Sequence, residues 1–253
     1  MIIDMKNWIS FFQLILLIVP IYIFGQMTEG MIYYEFTYNL HRNLPAEMEG
    51  MKVQMPEFRT EAKELLFNRE ASLMRASTDQ SQTVTTAGSG GMVMMRASSG
   101  NSIYHDLVND RKVEQRPVFE KQYLVETTGK TFPWVLSDET KKIAGKNCQK
   151  ATFMDVENNI LVEAWFSPEI PVSVGPDGFR GLPGAILHLD YNQGQRVYTA
   201  VEVDKMKIKP KMLKEPEEGK RVSEEEFRKE MEAMMESRGV SGSGGTFRVI
   251  RND

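Results

Sequence analysis

The sequence predicts a mainly β protein, built on one large antiparallel sheet with a single amphipathic helix near the C-terminus. Three observations carry this. Short runs rich in β-branched and aromatic residues recur between residues 31 and 203; corners made of Gly, Asn and Asp separate them; and no helical period interrupts the series. Strands so spaced, without crossover helices, pair with one another in one sheet that is expected to curve or close to hide its edges.

The chain has 253 residues and its first 25 read as an export signal. Lys6 precedes an apolar run over residues 11–25 that only Gln13 interrupts, and small Gly25 stands before polar Gln26. Cleavage there leaves Gln26 first. A retained membrane anchor is the alternative, but the run falls short of the ~20 residues a spanning helix needs, and Pro20 breaks it. A lipid anchor needs a cysteine at the processing site, and the only cysteine is Cys148. No permanent membrane anchor is therefore expected after cleavage. The predicted organisation is a signal over 1–25, a β-rich domain over 26–212, and a charged tether with a helix over 213–253.

Residues 31–40 form the first predicted strand, with Ile32, Tyr34, Phe36 and Tyr38 on one face. Residues 41–60 are polar and receive no regular structure. Residues 61–76 suit either a helix or a hairpin turning at Asn68-Arg69-Glu70, and β propensity favours the hairpin. Residues 77–91 hold almost nothing to bury and are expected to be a mobile loop. Further strands are predicted at 92–97, 102–106, 112–115, 120–126, 132–137, 148–156, 160–166, 185–191 and 196–203, with hairpin corners at Asn158-Asn159 and Gln193-Gly194. Near the end, Ser223 and Glu226 form a capping box for a helix over 223–238 that presents Phe227, Met231, Met234 and Met235 on one face. Residues 205–221 and the Gly/Ser stretch 239–245 read as tethers, and 246–251 as a short terminal strand.

A net charge of −4 argues against a nucleic-acid partner, which needs a basic patch. One cysteine closes no internal disulfide, so the fold must rest on its core. Cys148 reads as a buried strand residue, with a reactive thiol as the alternative. The three histidines, His41, His105 and His188, lie on different predicted segments, and no nucleophile or acid/base pair is recognisable. No enzyme, catalytic residue or cofactor is predicted. Seventeen methionines raise Cu(I) binding, with clusters at Met92, Met94, Met95 and at Met231, Met234, Met235. Adaptable packing explains them better, and no metal site is assigned.

The least ordinary stretch is 165–190, dense in Pro and Gly between two strands. Pro176 and Pro183 suit the first corners of turns, with Gly178 and Gly184 following. Ile170, Val172, Val174, Phe179 and Leu182 favour docking over disorder, so an ordered, packed loop is expected. Trp165, Pro168, Phe179, Arg180, Gly181, Leu182, Pro183 and Gly184 are the candidate ligand- or partner-binding residues. The loop residues read either as the rim of a groove, with Arg180 placed to meet an anion or carboxylate, or as a stiff turn entering the next strand; Trp165, in a strand-like stretch, reads as core before ligand platform.

The run Gly178-Phe179-Arg180-Gly181-Leu182-Pro183-Gly184-Ala185-Ile186-Leu187 resembles the hallmark of the GLPGLI family, also called Porph_ging: exported proteins of Gram-negative bacteria whose function is unknown. Asp138-Glu139-Thr140-Lys141-Lys142-Ile143, Cys148-Gln149-Lys150-Ala151, Ala164-Trp165-Phe166 and Pro168-Glu169-Ile170-Pro171 resemble its upstream blocks in the same order. Ala185 departs from the motif's Leu. The resemblance spans residues 125 to 205 and implies the periplasm or cell envelope as location. It also implies a strand layout similar to the curved half-barrels of periplasmic lipoprotein carriers. The expected function is a non-enzymatic periplasmic binding or carrier module for an apolar or lipid-like ligand, with the late helix as plug or lid. The alternatives are an interaction module docking on an outer-membrane protein, and a Met-rich copper binder. Apolar interior volume would favour the carrier; dense packing would favour docking.

Overall fold

The computed structural model describes residues 26–44, 46–77, 101–129, 131–156 and 158–237. Twelve strands form one sheet: β1 (Gly30–Asn39), β2 (Phe58–Phe67), β3 (Ala71–Ala76), β4 (Ser102–Asp106), β5 (Arg111–Val118), β6 (Lys121–Thr128), β7 (Val135–Ile143), β8 (Lys146–Asp155), β9 (Ile160–Ser167), β10 (Ala185–Tyr191), β11 (Arg196–Asp204) and β12 (Lys220–Ser223), with α1 (Glu224–Ser237) after the last. Their order across the sheet is β12-β6-β5-β4-β3-β2-β1-β11-β10-β9-β8-β7. Every pairing is antiparallel except β12 on β6, which is parallel. Two pairings are long-range: β1 on β11, which joins a run of strands on each side, and β12 on β6 at the margin.

Local chemistry sets the corners. The Asn68 carboxamide oxygen accepts the N–H groups of Glu70 and Ala71 at 2.8 Å each and fixes the β2–β3 hairpin, which settles the ambiguous 61–76 stretch. Ala144 and Gly145 take positive φ at the β7–β8 corner, as do Asn192, Gln193 and Gly194 between β10 and β11.

Adjacent Leu65 and Leu66 point to opposite faces and so mark two cores. One face carries the main cluster, which includes Ile32, Tyr34, Leu65, Phe67 and Met74. The other holds Leu66, Ala71 and Leu73 beneath Ile208 and Leu213 of the segment after β11. A third cluster seats α1: Phe227 meets Tyr123 edge-on with centroids 5.3 Å apart, and Val125, Val222 and Met231 close around them. The expected capping box is present: the Ser223 N–H donates to Glu226 Oε2 at 2.8 Å, and the Glu226 N–H to Ser223 Oγ at 3.2 Å.

The half-barrel expectation is corrected. The sheet is open, running from β12 to β7, and is neither closed nor strongly curled. Its edges are protected by other means. On β7 the register slips between Leu136 and Thr140, and the bulged stretch carries Asp138 and Glu139 ahead of Lys141 and Lys142, which discourages indiscriminate pairing. β12 is four residues long and runs straight into α1.

Four elements differ from the sequence reading. β7 extends through a charged stretch expected to follow a strand at 132–137, because an edge strand facing solvent tolerates charges. Residues 220–223, expected to be the end of the tether and the first residue of the helix, pair with β6 instead, although only Val222 buries its side chain. Residues 41–43 and 46–53, given no regular structure, form 3-10 turns. The export signal, the Met92–Met95 cluster with its predicted strand, the loop over 78–91, the 239–245 linker and the 246–251 strand lie outside the described residues.

Candidate functional site

Residues 168–184 leave β9, cross the main core and return into β10. Two consecutive i+2 turns tighten the outward leg: the Val172 N–H donates to Ile170 O at 2.7 Å and the Val174 N–H to Val172 O at 2.9 Å. The leg is then tied to β10, where the Ala185 and Ile186 N–H groups donate to Ile170 O at 3.0 Å and Val174 O at 2.9 Å. Ile170, Val172, Val174, Phe179 and Leu182 are all buried, so the loop is packed as its apolar content requires. Its exposed positions include Pro168, Gly181 and Pro183.

The first turn is shifted by one residue from expectation. Pro176 is its opening residue, with Asp177 and Gly178 at the centre at φ 52° and 78°, and the Phe179 N–H closes onto Pro176 O at 3.0 Å. This left-handed position aims the Asp177 carboxylate at β11, where it accepts from Tyr198 Oη at 2.6 Å and Arg196 Nη1 at 3.0 Å. Burial, then the Asp177 charge, pushes the Tyr198 phenol well above its usual range. Asp177→Asn keeps the shape but gives up the charge-assisted bonds; urea denaturation should show a loss of about 2 kcal/mol. No change in the midpoint would remove Asp177 as the clasp.

Phe179 belongs to an aromatic cluster with Phe132, Trp134 and Phe153; its centroid lies 4.9 Å from that of Phe132, while Trp134 and Phe153 meet edge-on at 4.8 Å. Trp134 Nε1 donates to Arg180 O at 2.7 Å and the Gly181 N–H to Ser173 Oγ at 2.7 Å, which fix the tip of the loop. Gly184 is needed for close approach: a Cβ there would lie 2.2 Å from Ser167 O.

Arg180 does meet a carboxylate, and it is the chain's own: its guanidinium pairs with Asp110 from the β4–β5 turn. Asp110 sits there because it adopts φ 54°, in a turn that the Asp106 carboxylate holds by accepting the Val108 and Asn109 N–H groups. His105 Nε2 lies 3.6 Å from the same Asp110 oxygen. Between the loop and β4–β6 a cleft of ≈ 20 Å³ opens, lined by His105, Asp110, Lys112, Thr127, Phe132 and Arg180 among others. Burial, then the charges of Arg180 and Lys112, lowers the His105 pKa to about 4, so the ring is neutral at neutral pH. Lys112 runs its stem beneath Gly178 and reaches Glu114 at 3.6 Å. Burial alone would raise the Glu114 pKa, but Arg116 at 2.9 Å and Lys112 hold it below the ordinary range.

Of the sequence candidates, Phe179, Arg180, Gly181, Leu182 and Pro183 share the outer part of the loop, Gly184 closes it against Ser167, and Pro168 marks its exposed start. Trp165 does not join them. Its indole lies under Lys141 and Lys150, 4.0 Å and 5.7 Å from the ring centroid, and donates to Glu163 at 2.8 Å. Sequence reasoning missed His105, Asp110 and Lys112, which sit some 70 residues upstream of the loop. No local signal marked them: Lys112 stands among Arg111, Glu114 and Arg116 in a charged strand start. Among the described residues no three His, Cys, Asp or Glu side chains converge as a metal-ligating group.

No curated protein matches the sequence. Among solved structures the chain is similar in fold to PNGF-II, at 14% identity in both of two crystal forms. For the P21 form the TM-score is 0.52 over 80% of this chain and 33% of that one; for the C2 form it is 0.51 over 79% and 32%. The chain thus spans about a third of the length of PNGF-II, and at that identity the likeness is one of fold. In sequence, residues 154–188, the end of β8 through the packed loop into β10, match the model of Porph_ging, a family described as a protein of unknown function, and the match is confined to that part of the chain.

Proposed function

We propose that the chain is a non-enzymatic interaction module of a Gram-negative cell envelope, exported by its first 25 residues, that docks a protein of the outer membrane. The observation that carries this reading is the direction of the loop: its apolar side chains face the sheet, which leaves Pro168, Gly181 and Pro183 as a stiff exposed rim. A surface already held in one conformation loses little entropy on binding. Beside it, Trp134 is bonded to the loop at Arg180 and leads directly into edge strand β7, where Val135 and Leu136 are 67% and 51% exposed. An extended segment of the partner can add to that edge.

An apolar-ligand carrier has less support. Pockets for small molecules run to roughly 300–1,000 Å³. Here Ile170, Val172, Val174, Phe179 and Leu182 occupy the sheet face such a ligand would use, and the cleft beside Arg180 offers ≈ 20 Å³. Met27 and Met74 lie in the main core and Met231 packs against the α1 cluster, which favours packing over copper for those methionines.

Photo-cross-linkers placed at positions 135 and 183 in intact cells should capture the same dominant protein adduct. Lipid adducts, or acyl chains co-purifying with the protein by mass spectrometry, would restore the carrier instead.

A further inference from the structure

The cleft beside Arg180 is unbalanced in hydrogen bonding. Its acceptors are engaged: Asp177 takes protons from Tyr198 and Arg196, and Asp110 pairs with Arg180. Two donors on the sheet have only distant acceptors, at 3.6 Å each. His105 is 5% exposed, and among the described residues its ring makes no hydrogen bond, the Asp110 oxygen at 3.6 Å being too distant. Lys112 is also buried, and among the described residues its ammonium pairs with Glu114 at 3.6 Å, a carboxylate it shares with Arg116 at 2.9 Å. Buried polar groups are as a rule hydrogen-bonded, so a histidine and a lysine facing one cleft call for a group that accepts. The Thr127 side of the cleft adds a hydroxyl within the same lining.

Size narrows the choice. A space of ≈ 20 Å³ admits the tip of one side chain and excludes an acyl chain. Charge narrows it further, because Lys112 is the cation whose counter-ion is shared. We infer that the cleft is a receptor for a single carboxylate, held by Lys112 and His105 and supplied by an Asp or Glu side chain of the docking partner. The cleft is continuous with the docking surface: Phe132 lines it, stands 6.1 Å from Trp134 centroid to centroid, and Trp134 precedes β7. This inference rests on the docking reading for the source of the carboxylate, and the receptor itself is testable without a partner.

The test is acetate titration of the mature chain carrying labelled histidine, followed by NMR at constant ionic strength with chloride as the reference. The His105 ring signals should shift saturably while those of His41 and His188 stay in place, and the His105 pKa should rise as the bound anion compensates the neighbouring cations. Lys112→Met, which retains the stem under Gly178, should weaken acetate about tenfold. The wild-type titration decides the matter even if that variant fails to fold. Absence of a His105 shift overturns the receptor, since a lone water would then complete the ring. An equal response to phosphate and sulfate overturns the carboxylate assignment in favour of an adventitious ion only. A saturable acetate shift with no protein adduct from positions 135 and 183 upholds the receptor and overturns the partner as its source.

Discussion

Gly184→Ala is expected to cost about 3 kcal/mol or more, the upper range for overpacking, and to free the loop from the sheet. The added Cβ would stand 2.2 Å from Ser167 O and 2.7 Å from its carbonyl carbon, and both are backbone atoms. Neither can step aside alone. Ser167 is fully buried, pairs with Ala185 in the β9–β10 ladder, and its carbonyl accepts the Ile170 N–H that starts the loop. Relief therefore requires opening the two strands at the point where the loop leaves and returns. Gly181→Ala provides the contrast. That residue has φ 92° but is exposed, and the nearest atom to an added Cβ is Trp134 Cδ1 at 3.6 Å, so the backbone penalty stands alone at about 1 kcal/mol. Urea midpoints of the two variants, at unchanged m, should separate clearly. Equal losses would mean that turn conformation, and not the approach to Ser167, is what Gly184 provides.

Acidification is the second large effect expected. The His105 pKa falls from 6.5 to about 4 on folding, through burial first and then Arg180 and Lys112, with Asp106 opposing. The folded state therefore favours the neutral ring. Its contribution is fully present above about pH 6.5 and is lost as pH falls towards about 4, because the unfolded chain binds the proton first. The total is on the order of 3 kcal/mol at full protonation of the unfolded chain. His188, also lowered chiefly by burial, adds in the same direction. His105→Gln removes the titrating group, so the difference between wild type and variant should shrink the acid slope between neutral pH and about pH 4.5, above the range where most carboxylates protonate. Parallel pH profiles for the two proteins would show that the His105 ring is solvated well enough to take up its proton in place. Since a bound carboxylate raises the His105 pKa, acetate should also flatten the wild-type profile.

Much of the fold was legible. Strand β10 occupies the predicted 185–191, the Ser223–Glu226 capping box forms as read, and the apolar side chains of 168–184 turn inward as their number requires. Less of the site was. Trp165 is core, as its strand-like setting suggests, and its second reading as a ligand platform fails because its indole lies under two lysines away from the loop tip. Asp110 falls in the Asn109-Asp110 corner between two predicted strands, and no local pattern says which cation a turn carboxylate will meet.

What the sequence determined by itself was the set of short-range choices: where strands run, where corners fall, which side of the loop is greasy. Alternation, turn sterics and capping act over a few residues, and those residues are adjacent in the text. What only the tertiary structure decided was that the sheet stays open, and that Arg180 finds Asp110 and Gly178 lies over Lys112. Those outcomes follow from the β1–β11 ladder, a contact between strands over 150 residues apart in the chain, which brings β4 and β5 beneath a loop that no local rule connects to them.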